Sequence, residues 1–524
     1  MAASTFTLPK PKFVPPFDPE FVPAVLWNRE YQRLVKANPK SEKLAVCLKR
    51  SNGAVSRRDT AILPHDTPAN KKLNVRYVER LVKYMLWMYG GHAITIAGGK
   101  AVAAEIRKIY SPKGTRAFDY DFFSDVYDNP MTVTGCDYAK APKSSEITVA
   151  LGRNLDGVRI GFDLGGSDRK CAVVVDGKCV FSGETRWDPY FQADWHYQLA
   201  GIRDTFKQAM AHIPKGRKLD AIGGSAAGVY VDNRVRRASL FRGVQKANGG
   251  RLPKEVVNMF ENVRKECKVP LITINDGEVT ALLGSMQQKS NSVLGISMGT
   301  SVAGGYVTSK GNITDWLNEL AFVPVDYREK NGPVDEWSGD AGCGVQYFCQ
   351  QGVARLAKQA GLKFPEGMKD PEKLEKVQEL MAKGDKTAKK IYESLGIMFG
   401  YSIAHFADFY DIKKLLILGR VTSGKGGNLL LDTAAKVLKA EFPAIAKKIG
   451  FCIPDEKEKR HGQAFAAATL PEIAKTQKAA VKAAKIVPAK KAIVAKKPAK
   501  DSCRCPGKKP GCGCPAKAAK AKKR

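Results

Sequence analysis

The segment Val158–Thr185 (VRIGFDLGGSDRKCAVVVDGKCVFSGET) constrains the fold more than any other part of the chain. Its apolar runs predict three strands, and Asp176-Gly177 predicts a tight hairpin turn, because both turn positions require positive φ. The first turn, Gly165–Ser167, follows a buried strand, and Asp163 lies two residues upstream. Glycine N–H groups can approach an anion closely, and an acid beside such a turn usually holds a metal ion or a water. Taken alone, the segment leaves a phosphate-binding turn and an ordinary hairpin equally open.

Three further segments favour the phosphate-binding interpretation. Asn291–Thr308 (NSVLGISMGTSVAGGYVT) predicts a strand, a small-residue turn and a second strand. Leu415–Lys425 (LLILGRVTSGK) again predicts a strand that ends in a glycine turn. In Ile272–Leu283 (ITINDGEVTALL), a strand ends at Asn275-Asp276 and a helix follows. An aspartate at such a junction either caps the helix or faces a cleft as a base.

In this order the segments resemble the ROK family of bacterial sugar kinases and sugar-responsive repressors, within the actin-like ATPase and sugar-kinase superfamily. FDLGGSDRK is similar to the family's first phosphate loop, with Ser167 where Thr is usual, and GISMGTSVAGGYV is similar to the second. DAIGGSAAGVYVD resembles the strand and loop that touch the sugar, ITINDGEVTAL the segment that holds the catalytic aspartate, and LILGRVTSG the adenosine loop. The resemblance covers residues 158–470 approximately. It implies an α/β, two-lobed actin-like (ribonuclease H-like) fold with a nucleotide cleft between the lobes.

The resemblance also implies a reaction and its residues. Phosphoryl transfer from ATP to a sugar or sugar-like hydroxyl would use Asp276 as the general base, with Mg²⁺ near Asp163, usually through water. The residues implied to touch the sugar are Asn275, Glu319, Ser225 and Gly228. The residues implied to bind the nucleotide are Asp163, Gly165, Gly166, Ser167, Lys170, Gly299, Thr300, Ser301, Gly419 and Gly424. The alternative that stays open is a non-catalytic, sugar- or nucleotide-sensing ROK-type regulator that binds nucleic acid.

The chain departs from the family pattern around the sugar site. In the run Asn318–Phe322, Glu319 is retained, but Phe322 replaces the histidine that in the family bonds the sugar and ligates a structural zinc. The cysteine cluster that should complete the zinc site is reduced to Cys343. Because one cysteine cannot make a four-ligand site, we predict no zinc in the kinase body. The substrate is therefore not assumed to be a standard hexose.

The region before the ROK-like segment is interpreted as a small α/β domain. Residues 1–40 form a Pro-rich extension, 41–156 the α/β domain of unassigned role, 157–290 and 291–471 the two kinase lobes, and 472–524 a disordered Lys/Ala/Pro-rich tail. Lys43–Leu63 predicts a β-hairpin. A repressor's helix-turn-helix is the alternative there, but Pro64 and Pro68 would break its recognition helix.

Composition limits the cellular setting. The 524 residues contain no run of 18 apolar residues, and the N-terminus lacks an apolar signal core, so we expect a cytoplasmic protein without a membrane partner. The twelve cysteines are mostly isolated, which fits a reducing compartment. ROK relatives are often dimers or tetramers, so the resemblance leaves a homo-oligomer open.

The C-terminal tail carries a concentrated positive charge. Residues 473–524 hold 17 Lys or Arg against one acid, Asp501, a net charge of +16. Such a segment has too little apolar surface to fold alone and predicts contact with nucleic acid or another polyanion. A solvated tail without a dedicated partner is the alternative. The thiols of Cys503, Cys505, Cys512 and Cys514 could hold one Zn²⁺. The favoured interpretation is that these cysteines arose by drift in a low-complexity sequence and bind no metal.

Deleting residues 473–524 should abolish most DNA binding, because the tail's lysines are expected to contact phosphates without reading sequence. Gel shifts on random and genomic fragments at two salt concentrations measure this. Affinity of the full chain should fall with a log–log slope of roughly −0.9 per phosphate neutralised. Sequence-specific binding that survives the deletion would instead support the regulator alternative.

Overall fold

The N-terminal part of the chain is a helix followed by a four-stranded α/β unit. In this computed structural model the described residues are 5–146, 148–149, 151–452 and 456–473, with the backbone alone for 148–149 and 456–461. The sheet order is β2-β1-β3-β4, with only β3 and β4 parallel. Its elements are α1 (Ala24–Ala37), β1 (Glu42–Lys49), β2 (Val55–Ile62), α2 (Pro68–Tyr89), β3 (Ala93–Ala97), α3 (Lys100–Ile109), α4 (Ala117–Val126) and β4 (Thr132–Cys136).

The structure confirms the hairpin predicted for Lys43–Leu63. β1 and β2 pair antiparallel from Glu42 opposite Ile62 to Lys49 opposite Val55, so the helix-turn-helix alternative for this segment is wrong. Pro68 begins a helix where we expected it to break one, because a proline at the first helical position gives up no hydrogen bond. Thr67 caps that helix by accepting from the Asn70 N–H at 3.2 Å.

The first lobe contains a five-stranded mixed sheet. Its order is β12-β9-β6-β7-β8, in which β6, β7 and β8 form an antiparallel meander and β9 and β12 run parallel to β6. The elements from residue 148 onward are β5 (Thr148–Val149), β6 (Val158–Leu164), β7 (Asp168–Val175), β8 (Lys178–Arg186), α5 (His196–Met210), β9 (Ala221–Ala226), β10 (Val229–Val231), β11 (Arg234–Arg237), α6 (Arg242–Ala247), α7 (Lys254–Val257), α8 (Met259–Cys267) and β12 (Leu271–Asn275). The three predicted strands and the Asp176-Gly177 turn, with φ of 46° and 81°, are confirmed.

The second lobe repeats this topology. Its sheet order is β17-β16-β13-β14-β15-β5, with a meander of β13, β14 and β15 and with β16 and β17 parallel to β13. The remaining elements are α9 (Asp276–Gln287), β13 (Val293–Met298), β14 (Val302–Val307), β15 (Ile313–Thr314), α10 (Val345–Phe348), α11 (Gln350–Gln359), α12 (Asp370–Ala382), α13 (Lys386–Phe406), β16 (Lys414–Leu418), α14 (Gly424–Glu441), α15 (Pro443–Lys448), β17 (Gly450–Cys452) and α16 (Glu456–Ala468). A meander flanked by parallel strands, present twice, is the two-lobed ribonuclease H-like fold. The fold class expected from the sequence is confirmed.

Two helices connect the sheets through glycines. α16 lies against β6, β7 and β9, and a Cβ at Gly161 or Gly223 would overlap the helix carbonyls of Ala464 or Ala467. α9 starts at the end of the first sheet and packs against β13 and β14 of the second. At this contact the backbones of helix and strand are so close that a Cβ at Gly277 or Gly305 would overlap the other element's backbone. Helix and strand backbones touch directly at both contacts.

The N-terminal unit shares one hydrophobic core with the second lobe, whereas the first lobe has its own. Side chains from Phe21 to Ile449 belong to the shared core, and the first-lobe core extends from Val158 to Leu271. All described residues form one compact unit. The domain boundaries near 40, 156 and 290 therefore stay predictions.

The predicted tail and its cysteines lie outside the described residues, which end at Ile473. Among the helices that the structure does describe, none has both the length and the apolar character of a membrane span.

Replacing Gly161 by Ala should lower the free energy of unfolding by about 1–3 kcal/mol, because the new methyl group forces α16 off the sheet. Urea midpoints measure the change. Gly450→Ala is the matched control, since a Cβ in that strand meets only the flexible end of Lys414. Equal midpoints for Gly161→Ala and the parent would contradict the close packing.

Candidate active site

Three parallel strands of the first sheet bring polar residues to one edge. Asp163 on β6 lies opposite Ser225 on β9, and Ser225 lies opposite Ile274 on β12, just before Asn275. The Ser225 hydroxyl donates to Asp163 Oδ1 at 2.7 Å. Ser225 is fully buried, so its hydroxyl orients Asp163 rather than presenting itself to the cleft.

Asn275 and Asp276 form the junction between β12 and α9. Asn275 is the N-cap, with Oδ1 accepting from the Gly277 N–H at 2.7 Å and Nδ2 donating to the Gly228 carbonyl at 2.7 Å. Asp276 Oδ1 accepts from the same Gly277 N–H at 2.9 Å. The cap is therefore supplied mainly by Asn275, and the second oxygen of Asp276 is left for another task. Gly228, at φ 136°, joins the site through its carbonyl.

Asp276 and Glu319 titrate far from their ordinary ranges. Burial raises the pKa of Asp276 to about 6, and the negative charge of Asp163 adds to the rise. Burial also raises the pKa of Glu319 to about 8, with the charge of Asp276 as the second cause. At pH 7 the Asp276 carboxyl is mostly ionised and the Glu319 carboxyl mostly protonated. Perturbed carboxyls gathered in a cleft are typical of catalytic sites.

Lys170 lies between two acids. Its Nζ is 2.7 Å from Asp168 Oδ1 and 3.7 Å from Asp163 Oδ2. Burial raises the pKa of Asp163, and Lys170 partly offsets this. Asp163, Asp168 and Asp276 together carry more negative charge than one lysine neutralises. A divalent cation beside Asp163 fits this charge balance, and Lys170 would compete with it for the carboxylate.

The first glycine turn presents free donors. The Gly165 N–H donates to the Asp168 carbonyl at 2.9 Å, and the Trp187 indole N–H donates to the Gly165 carbonyl at 2.8 Å. The N–H groups of Gly166 and Ser167 have no acceptor among the described residues. A Cβ at Gly166 would overlap the Tyr190 ring, which explains the glycine. Two unpaired N–H groups in one turn suit an anion.

The second-lobe turns lie together at the corresponding edge of the other sheet. Ser297 on β13 is opposite Leu418 on β16, so the turn at Gly299–Ser301 adjoins Gly419. Gly299 donates its N–H to the Ser301 carbonyl at 3.0 Å, while Thr300 and Ser301 are exposed. Gly419 has φ 104°, and a Cβ there would overlap the Met298 backbone. Gly424, at φ 68°, begins α14 and faces open space.

The N-terminal unit holds the segment that carries Glu319, a contact that the motifs do not reveal. The Asn318 and Glu319 N–H groups donate to the Met88 and Trp87 carbonyls of α2 at 3.0 and 2.9 Å. Phe322 stacks on Trp87 with ring centroids 4.2 Å apart. The sequence signals only that α2 is buried, since the run LVKYMLWMY is apolar except for Lys83 and such helices are buried all round.

Cys343, the cysteine that remains of the expected zinc cluster, lies close to a buried ion-pair network. Cys343 is fully buried. The neighbouring Lys83 is 2.8 Å from Asp119 and 3.6 Å from Asp340. In the described ranges no three potential metal ligands gather. Absence of zinc from the body stays a prediction, and the candidate ligands in the tail lie outside the described residues.

Solved structures that resemble the chain include ROK family proteins, while no family model and no curated protein matches it. A ROK family transcriptional regulator, described as a homologue of the E. coli MLC protein, has 17% identity and a TM-score of 0.48 over 60% of this chain and 78% of its own. The ROK hexokinase from Thermus thermophilus has 17% identity and a TM-score of 0.44, over 60% and 97%. A ROK glucokinase from Streptomyces griseus, in complex with glucose and AMPPNP, has 21% identity and a TM-score of 0.42, over 59% and 98%.

Asp276→Asn should stabilise the protein at pH 7.5 and have little effect near pH 4. A carboxyl whose pKa is raised on folding contributes stability only while it is protonated. That contribution is lost as pH rises from about 4 to about 6. Urea midpoints across this range measure the effect.

Asp176→Asn is the control of opposite sign, because the hydrogen bond from Arg217 lowers the pKa of Asp176. Its loss of stability should grow as pH rises. Parallel profiles for Asp276→Asn and the parent would contradict the raised pKa.

Proposed function

We propose that the protein is an ATP-dependent kinase that phosphorylates a sugar or sugar-like hydroxyl, with Asp276 as the general base. The observation that carries the proposal is the Asp276 carboxyl, whose pKa is raised to about 6. It lies beside the edge where the first glycine turn presents unpaired N–H groups. A base with a pKa near the working pH combines an ionised state with useful basicity.

The neighbours of Asp276 suit the binding of a hydroxyl compound. Asn275 keeps part of its amide for a substrate after capping α9. Glu319, protonated at pH 7 because its pKa is about 8, can both donate and accept a hydrogen bond. Ser225 and Gly228 act indirectly, because Ser225 orients Asp163 and the Gly228 carbonyl orients Asn275. Asp276 would take the hydroxyl proton onto the oxygen that faces the cleft.

The glycine turns suit a nucleotide. The N–H groups of Gly166 and Ser167 would hold phosphate oxygens on one lobe, and the turn at Gly299–Ser301 would do so on the other. Gly419 and Gly424 would flank the adenosine. ATP and Mg²⁺ would supply the phosphoryl group and neutralise its charge, with the cation near Asp163. Positioning and electrostatics provide most of the rate gain in phosphoryl transfer.

Asp276→Asn should reduce turnover at least ~10²-fold while Mg-ATP binding persists, since the amide cannot accept the proton. Coupled kinase assays over a sugar panel measure turnover, and isothermal titration measures nucleotide binding. In the parent, turnover should fall as pH drops through about 6, where Asp276 becomes protonated.

Glu319→Gln is the matched control. The glutamine keeps a donor and an acceptor, so this variant should alter KM more than kcat and retain the acid limb near pH 6. Full turnover in Asp276→Asn would end the assignment of the base. A parent without nucleotide binding at millimolar concentration would end the kinase proposal.

The ion pair of Lys170 favours one second candidate, a non-catalytic regulator that senses a sugar or nucleotide. Lys170 already neutralises part of the charge of Asp163 and Asp168 and would compete with a cation for them, as a site that binds without turnover would allow. This candidate predicts a parent that binds ligand, turns over no member of the panel and still binds nucleic acid sequence-specifically after residues 473–524 are deleted.

A further inference from the structure

A basic cavity whose lining residues have no role in the proposed function lies between α4 of the N-terminal unit and the β10–β11 hairpin of the first lobe. Its volume is about 360 Å³. We call it the arginine cavity. Its charged lining consists of Arg234, Arg236, Arg237, Arg251 and Lys254, with Asp125 and Asp128 opposite.

Positive charge exceeds negative charge in this cavity. The two aspartates are 54% and 59% exposed, so their ion pairs with the arginines are weak. No described carboxylate lies within 4.0 Å of Arg251 or Lys254. Five cations facing two exposed acids in a small volume repel one another, and an anion would relieve that repulsion.

Two arginines of β11 are bound on one side only. Arg236 Nη2 is 2.7 Å from Asp128 Oδ2, and Arg237 Nη2 is 2.6 Å from Asp125 Oδ2. The Nε atoms of both arginines are buried, and neither meets an acceptor in the described parts of the chain. A buried donor without a partner is costly. Guanidinium groups that an acid engages through one Nη only keep further donors, which match the oxygens of a phosphate group.

We propose that the arginine cavity binds a small phosphorylated molecule, with its phosphate dianion held by Arg236 and Arg237. A dianion with three free oxygens satisfies two forks, whereas a carboxylate satisfies one. The volume falls in the range of small-molecule sites, about 300–1,000 Å³. Apolar Leu252 and Val257 also line the cavity and can cover the rest of such a ligand.

The aspartates compete with this ligand. Asp128 occupies Arg236 and adds a like charge near the phosphate, so ligand binding and the Asp128 ion pair oppose each other. Two kinds of variant should therefore change the affinity in opposite directions. Removing an arginine should weaken binding, and neutralising Asp128 should strengthen it.

The test titrates inorganic phosphate into the full chain by isothermal calorimetry. Arg236→Gln and Arg237→Gln should each weaken the cavity's binding at least about tenfold, because each removes hydrogen bonds from a charged donor. Asp128→Asn should tighten it several-fold. Asn tolerates the φ of 50° at this exposed position, so this variant should fold even if the arginine variants do not.

Arg217→Gln and Asp176→Asn are the matched controls, since this exposed ion pair lies elsewhere in the first lobe. Both should bind phosphate as the parent does. Asp276→Asn should also leave this binding unchanged, so failure of the kinase proposal would not affect the result. Parent-like binding in Asp128→Asn and both arginine variants would overturn the proposal. Loss of DNA binding without loss of phosphate binding in the arginine variants would overturn it too, in favour of a nucleic-acid surface.

Discussion

Direct contact between helix and strand backbones is the constraint on which the two-lobed body depends. α16 lies on the first sheet because Gly161 and Gly223 have no side chains to hold it away, and α9 reaches the second sheet through Gly277 and Gly305. The same strands, β6 and β9, carry Asp163 and Ser225 a few residues further on. The helix packing that joins the lobes therefore also fixes where the site residues on β6 and β9 lie relative to the sheet edge.

The carboxyl edge shows how a fold creates reactivity from ordinary residues. Asp163, Asp276 and Glu319 come from separate segments, and burial raises the pKa of each. Repulsion by a neighbouring carboxylate adds to the rise, from Asp168 on Asp163, from Asp163 on Asp276 and from Asp276 on Glu319. The glycine turns beside them present backbone donors instead of side-chain cations. Negative charge is thus concentrated at the carboxylates and positive potential at the turns, which is the separation that the proposed phosphoryl transfer would require.

Much of this arrangement was predictable from the sequence, because strands that end in glycine turns and acids are local patterns. The strands around Gly165–Ser167 and Gly299–Ser301 and the hairpin in Lys43–Leu63 follow from such patterns, whereas the fold class follows from the family resemblance that the motifs carry in their order. The ion pair of Lys170 with Asp168 could not be foreseen, since side-chain pairing across a turn depends on rotamers. The support of Glu319 by Trp87 could not be foreseen either, because 232 residues separate them and no local pattern encodes that contact.

The shared core of the N-terminal unit and the second lobe has a consequence for the order in which the chain is made. The Lys12 N–H donates to Glu441, 429 residues later, and the Val22 N–H donates to Asp326. α2 and its neighbours are synthesised well before the segments of the second lobe that cover them. At a synthesis rate of about 5–20 residues per second, the apolar faces of these elements stay uncovered for tens of seconds. The apolar surface of the N-terminal unit is therefore open to self-association until the second lobe has been synthesised, and this part of the chain cannot complete its core before then.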